Sequence, residues 1–288
     1  MNTQIAEHNN RIAFQGELGA FSHQACQEVF PDMEPMPCST FEDAFQAVKS
    51  GAAHLAMIPV ENSLYGRVAD VHHLMPESGL YIIGEHFLRI RLQLMAPAGA
   101  TLEGLAAVHS HTVALGQIRK FVAKHGLKTA AEADTAGSAA HVAELGDPSH
   151  AAVASTLAAE TYGLEILAQD IEDAEHNTTR FLVLSRQKIE ADRLAGQSIT
   201  SFVFRVRNVP AALYKAMGGF ATNGVNMVKL ESYMINGSFT ATQFFADIEG
   251  HPDDRSVALA LEELQFFCSH MKILGVYPMA PARRMERD

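Results

Sequence analysis

The chain is poor in cysteine, has no long apolar run and carries no block of basic residues. Each absence removes a class of protein. Only three cysteines stand among 288 residues. Cys26, Cys38 and Cys268 lie far apart, with neither CxxC nor CxxxxC spacing, which argues against a zinc site of the finger type and against a disulfide framework. So few scattered thiols fit a reducing cytoplasm, the expected compartment. No apolar stretch approaches the ~20 residues a membrane helix needs. The opening segment Met1–Asn10 is polar and lacks the apolar centre of a signal peptide. Lys and Arg never cluster and the net charge is -11, so no nucleic-acid partner is expected. Internal repeats and low-complexity tracts are also missing.

What remains is a composition of 48% hydrophobic and 19% charged residues, ordinary for a chain with a sizeable core. Its length suits two domains. Residues 11–186 alternate strand-like and helix-like segments. Arg11–Phe14 reads as a strand and Phe21–Phe30 as a helix. Thr40 or Ser39 caps a helix over Phe41–Lys49, which Gly51 stops. His54–Ile58 is a short buried strand. Ala106–His109 precedes a helix over Leu115–Lys124, and Ala151–Ala154 precedes one over Leu157–Tyr162. The pattern predicts an α/β domain with a largely parallel sheet. Tyr81–Ala96 is long enough to connect two lobes, and ligands of such folds bind where strand ends meet at a crevice.

Residues 188–198 are polar and read as a linker. After them come strand Ile199–Val206, helix Pro210–Thr222, strand Asn226–Ile235, a type I′ turn at Asn236-Gly237, strand Phe239–Ile248, helix Asp253–Ser269 and strand Met271–Tyr277. Pro210 suits the first turn of its helix. The order βαββαβ is the ferredoxin-like plan.

Four segments carry candidate chemistry. Gln15–Ser22 holds Gly16 and Gly19 before a helix, a place where backbone N–H groups can crowd an anion, although by itself a tight turn explains it as well. Pro59-Val60-Glu61-Asn62-Ser63 leaves a buried strand with three polar side chains able to hold or move a proton; the plain alternative is a cap and turn. Asp134-Thr135-Ala136-Gly137-Ser138 reads as a helix start, with an N-cap as its simplest meaning. Asn177-Thr178-Thr179-Arg180-Phe181 sets two hydroxyls and a guanidinium at the lip of a strand, and Arg is suited to bidentate carboxylate binding. His109 and His111 are two apart, as are no standard helix-face metal pair, and read as structural or solvated. His72-His73 fares no better, and the cysteines and methionines read as core filler.

Taken together, and in this order, the four segments resemble the prephenate dehydratases. That resemblance spans residues 11–186 and implies a two-lobed catalytic domain like that of periplasmic ligand-binding proteins over 10–187. Lobe one would comprise about 10–87 and 172–187, and lobe two 88–171. It implies loss of water and carbon dioxide from prephenate to give phenylpyruvate, with no cofactor and no metal. Thr179 would stand at the departing hydroxyl, Arg180 on a carboxylate, and Phe181 in the wall or the packing. Glu61, Asn62, Ser63, Gly19, Ala20, Ser22, Thr135, Gly137, Ser138 and Asn177 would bind substrate, the glycine loop and the Thr135–Ser138 backbone as anion cradles.

Residues 199–278 resemble an ACT domain, with 279–288 as a tail. In this family the module senses phenylalanine. The implied effector residues are Ala211, Ala212, Leu213, Asn226, Met227, Glu231 and Ser232. Here Ala211 replaces a glycine and Tyr233-Met234 an Arg-Pro pair. A homodimer or homotetramer is implied. The rival readings are an arogenate dehydratase, a non-catalytic amino-acid or small-acid binding protein, and an effector-sensing domain of a transcription factor, the last lacking a basic helix-turn-helix.

Overall fold

The structure is a computed structural model that describes residues 10–207, 209–234 and 243–285. In chain order the first elements are β1 (Arg11–Gln15), α1 (Phe21–Val29), β2 (Glu34–Cys38), α2 (Phe41–Ser50), β3 (Leu55–Asn62), β4 (Gly66–Arg67), α3 (Ala69–Glu77), β5 (Tyr81–Arg89) and β6 (Gln93–Ala96). Then come β7 (Ala107–His111), α4 (Thr112–Gly116), α5 (Arg119–His125), β8 (Lys128–Glu132), α6 (Thr135–Leu145), β9 (His150–Ala154), α7 (Thr156–Tyr162), β10 (Glu165–Ala168) and β11 (Thr178–Ser185). The C-terminal elements are β12 (Ser198–Val206), α8 (Ala212–Thr222), β13 (Met227–Tyr233), β14 (Gln243–Glu249), α9 (Arg255–Phe267), β15 (Cys268–Pro278) and α10 (Ala282–Met285). Among the described residues no helix is long and apolar enough to cross a membrane.

The described chain forms two compact units, residues 10–68 with 86–181, and residues 69–85 with 182–285. The first unit holds two lobes. In lobe one the strand order is β11-β3-β1-β2, with β1 parallel to both β2 and β3. Both faces of β1 are covered, with Ile12, Ala13 and Phe14 fully enclosed. In lobe two a five-stranded sheet runs β10-β6-β9-β7-β8. Its strands β7, β8 and β9 are parallel, and Met95 of β6 with Ala152 and Ala154 of β9 meets α6 and α7 through Ala139, Val142, Ala158 and Ala159. Local signals set these helices. Thr40 accepts the Asp43 N–H at 3.1 Å, Gly51 ends α2 in the left-handed region, and Asp134 and Ser155 cap α6 and α7.

Two expected elements are broken in the structure. The run Tyr81–Ala96 divides into β5 and β6 because a crossing segment takes up the Leu92 backbone: its N–H donates to Glu172 and its carbonyl accepts from Ile171. The helix expected over Leu115–Lys124 divides into α4 and α5. The Gln117 carbonyl accepts from Asp173 N at 2.6 Å, and the Asp173 carboxylate receives the Lys120 N–H. The elements β2, β4, α3, β8, β10 and α10 have no counterpart among those expected from the sequence.

The second unit has the order βαββαβ over β12, α8, β13, β14, α9 and β15, with sheet order β13-β14-β12-β15. Phe202, Phe204, Phe220 and Phe244 form its core under α8 and α9, each ring worth roughly 1.5–3 kcal/mol on burial. α8 starts at Ala212, so Pro210 stands before the helix rather than in its first turn; Ala211 forms the N-cap with φ 61°. The Asn236-Gly237 turn lies outside the described residues. In the same unit Arg283 pairs with the fully buried Glu85 carboxylate at 2.8 Å.

Candidate active site

The strand ends of the first unit open on a crevice of about 310 Å3, within the range of small-ligand sites. Asn62 from β3 and Thr179 and Phe181 from β11 line it, with Ser22 and Thr135 from the starts of α1 and α6. Much of the wall is apolar, from Phe21, Ile90, Leu92, Val113 and Phe181.

Asn62 organises the polar end. Its Oδ1 accepts the backbone N–H groups of Leu64 and Tyr65 at 2.9 and 3.1 Å, which fixes the amide orientation. Its Nδ2 then donates to Thr179 Oγ1 at 3.0 Å and to Asn177 Oδ1 at 2.8 Å. The fully buried Asn177 passes a donor on to Gln117 at 2.9 Å. Because Thr179 Oγ1 already accepts from Asn62, the hydroxyl proton is left to donate elsewhere. Ser63 ties the loop down instead of facing the crevice, donating to the His176 carbonyl at 2.7 Å and accepting the Thr178 N–H.

Arg180 departs from the expected substrate contact. Side chains alternate along a strand, so Thr179 and Phe181 take the crevice face and Arg180 the other. Its guanidinium is 2% exposed, pairs with Glu61 at 2.8 Å and lies over the Phe87 ring at 6.0 Å. Glu61 is set away from the crevice lining by the same alternation beside Asn62.

The anion cradles also need correction. The N–H of Gly16 goes to the Cys38 carbonyl, that of Ala20 to the Glu17 carbonyl, and that of Gly19 to His23 Nδ1 at 2.9 Å. The Gly19 carbonyl accepts from Ser155. At the start of α6, Asp134 takes the Gly137 N–H at 2.6 Å and its carbonyl takes the Ser138 hydroxyl. These donors are spent inside the fold. Gly19, Ala20, Gly137 and Ser138 thus shape the crevice mouth without lining it.

Arg67, Tyr65, Gln117 and His111 line the crevice and were missed. The signal for the first two was their place just after Asn62. Gln117 sits in the helix break, which the sequence does not announce. His111 Nδ1 accepts the Val113 N–H, so the compatible neutral tautomer carries its proton on Nε2. Burial pushes Cys26 up to about 12 and Cys268 up to about 11, which leaves almost no thiolate at neutral pH and removes both as nucleophiles. His23, stacked on Phe14, is held below its ordinary 6.5 by burial.

In the second unit a polar hollow of about 330 Å3 is lined by Asn226, Arg193, Glu249 and Asp254 among others. Of the expected effector residues Asn226 lines it. Ala211 is at the α8 N-cap, and Ala212 and Leu213 pack on the phenylalanine core. Met227 opens β13, while Glu231 and Ser232 lie near its far end, about 13–17 Å along the strand. Within one chain these residues are not gathered round a single hollow.

A two-lobed α/β unit with a part-apolar crevice at its strand ends, carried with a βαββαβ module, defines a protein built to take a small molecule. The prephenate dehydratase family model matches residues 12–189. The bifunctional N-acyl-homoserine lactone acylase/prephenate dehydratase of Komagataeibacter europaeus is 51% identical over 273 residues, 95% of this chain and 97% of the relative. Arogenate dehydratase/prephenate dehydratase 2 of Arabidopsis thaliana is 37% identical, covering 93% of this chain and 73% of the relative. The crystal structure of prephenate dehydratase from Arthrobacter aurescens in complex with L-Phe superposes with a TM-score of 0.86 at 31% identity, over 94% of this chain and 90% of that one. The chain belongs to the prephenate dehydratase family.

Proposed function

We propose that the crevice converts prephenate to phenylpyruvate, water and carbon dioxide with Thr179 as the hydrogen-bond donor to the departing hydroxyl. The observation that carries this reading is the 3.0 Å bond from Asn62 Nδ2 to Thr179 Oγ1. It leaves the Thr179 proton free to follow the leaving oxygen. Hydroxide is a poor leaving group, and a positioned donor lowers its barrier. The ring carboxylate loses carbon dioxide most readily when stripped of water, and the Phe21, Ile90, Leu92 and Phe181 walls supply that setting. Arg67 is the guanidinium among the lining residues and is assigned to a substrate carboxylate. Arg180 and Glu61 position the strand ends, and Ser22 and Thr135 supply further hydroxyls. Aromatisation drives the reaction, so no cofactor is invoked.

Phenylalanine is proposed as the effector of the ACT module, since the Arthrobacter aurescens relative is in complex with L-Phe. A homodimer or homotetramer is proposed with it, and the free, largely buried thiols suit action in the cytoplasm. The deciding experiment incubates the purified protein with prephenate and follows phenylpyruvate absorbance, with and without phenylalanine. Parallel turnover of arogenate separates the two dehydratase substrates. Absence of turnover on both overturns the reading, and no heat or thermal shift with millimolar phenylalanine overturns the effector assignment.

A second reading has one support. The relative that is 51% identical is named as an N-acyl-homoserine lactone acylase as well, and the apolar crevice wall would suit an acyl chain. Release of homoserine lactone, followed by mass spectrometry, tests it on the same preparation.

A further inference from the structure

Lobe two contains a histidine cluster that the dehydration chemistry does not use. His109 stands in the middle of β7, 7% exposed. Its Nδ1 is 3.0 Å from Glu132 Oε1 at the end of β8, and its Nε2 is 2.8 Å from His150 Nδ1 at the start of β9. The His141 ring, from α6, lies 5.5 Å from the His109 ring. Ligand atoms of His109, Glu132 and His141 all fall within 4.8 Å of one another. Register explains the convergence. Glu132 pairs with His111, two residues along β7 from His109, and His150 pairs with Ala107, two residues the other way, so all three side chains share the face of the sheet on which α6 packs.

We propose that His109, Glu132 and His141 form a binding site for a divalent transition cation, zinc in the first instance. Two imidazoles and one carboxylate are a zinc donor set with a fourth position open to water. Donor atoms of a tetrahedral zinc site lie about 3.4 Å apart at bond lengths of roughly 2.0–2.2 Å. The present spacing therefore closes by side-chain rotation alone, and His141 is exposed and free to turn. The fourth residue strengthens the assignment. With His109 Nδ1 turned to the metal beside Glu132, its Nε2–H donates to His150 Nδ1. That outer hydrogen bond fixes tautomer and ring plane, the common arrangement around metal-bound histidine. The spacing of His109 and His111 pointed away from a metal because the partners come from other strands and a helix. Bound metal would join α6 to β7 and β8, and so stabilise lobe two.

The test uses the whole protein, stripped with chelator and titrated with zinc by calorimetry and with cobalt(II) by absorption. The expected result is one equivalent bound, visible bands of a four-coordinate cobalt(II) site, and a rise in melting temperature that grows with free zinc. His141→Ala and Glu132→Gln, both at accessible side chains, should each weaken binding at least about 10-fold and lose the bands, with turnover of prephenate unchanged. Failure to bind zinc at micromolar concentration overturns the proposal. So does one-equivalent binding that His141→Ala and Glu132→Gln leave intact.

Discussion

Breaking the Arg180–Glu61 pair should unfold the protein more readily before it touches substrate binding. Arg180 is 2% exposed and the Glu61 side chain 30% exposed, with 2.8 Å between them. Removing one member of a buried pair deprives the other charge of that partner, at a cost of up to about 3–5 kcal/mol. Glu61 is nearly a third solvated, which trims the expectation for Glu61→Gln to about 2–3 kcal/mol. In a unit of this size each kcal/mol lowers Tm by roughly 2–4 °C, so a drop of about 4–12 °C is expected. Replacing both charges, Glu61→Gln with Arg180→Met, should recover part of that loss, because neither charge of this pair is then left facing a neutral partner. Thermal and urea unfolding of the single and double variants measures this, alongside KM for prephenate. A single Arg180→Met variant that melts normally while KM rises at least about 10-fold would refute the reasoning and return Arg180 to a substrate carboxylate.

Ala211 holds φ 61°, where a Cβ costs about 1 kcal/mol; Ala211→Gly should stabilise the second unit by roughly 0.5–1 kcal/mol, read in urea unfolding, and no gain would mean the strain is absent. Gly19→Ala should lower both stability and turnover, since its Cβ would lie 2.7 Å from Ala158 Cα in a backbone with φ +86°; a variant with wild-type Tm would contradict this. His23 is held neutral by burial, below its ordinary 6.5. The unfolded chain therefore binds the proton first, and stability should fall as pH drops below about 6.5, levelling off below the folded value. His23→Asn, which keeps an acceptor for the Gly19 N–H, should flatten that slope in unfolding measured across pH.

The βαββαβ order and the helices with caps next door were legible, because a Thr40 cap or a Gly51 stop acts over three or four residues. β2 was missed: Pro35 and Pro37 disguise a strand that survives at the sheet edge, where a missing N–H goes unnoticed. The breaks at Leu92 and Gln117 were hidden for a different reason. Their causes, Glu172 and Asp173, lie more than fifty residues away. In the site, the polar residues at the β3 and β11 ends could be read, but which face each side chain took could not. Arg180 looked like a ligand because guanidinium chemistry fits a carboxylate; one residue of strand alternation turned it to Glu61. The glycine loop looked like a cradle until its N–H groups were found committed to Cys38, His23 and Glu17.

The central claim is that the Thr179 hydroxyl serves the leaving oxygen, and it is tested most directly by prephenate turnover in Thr179→Ala and Thr179→Ser. The expected result is a fall in kcat of about 10²–10⁴-fold in the alanine variant, with the serine variant keeping much of the rate and both melting close to the parent. Unchanged kcat in Thr179→Ala would contradict it.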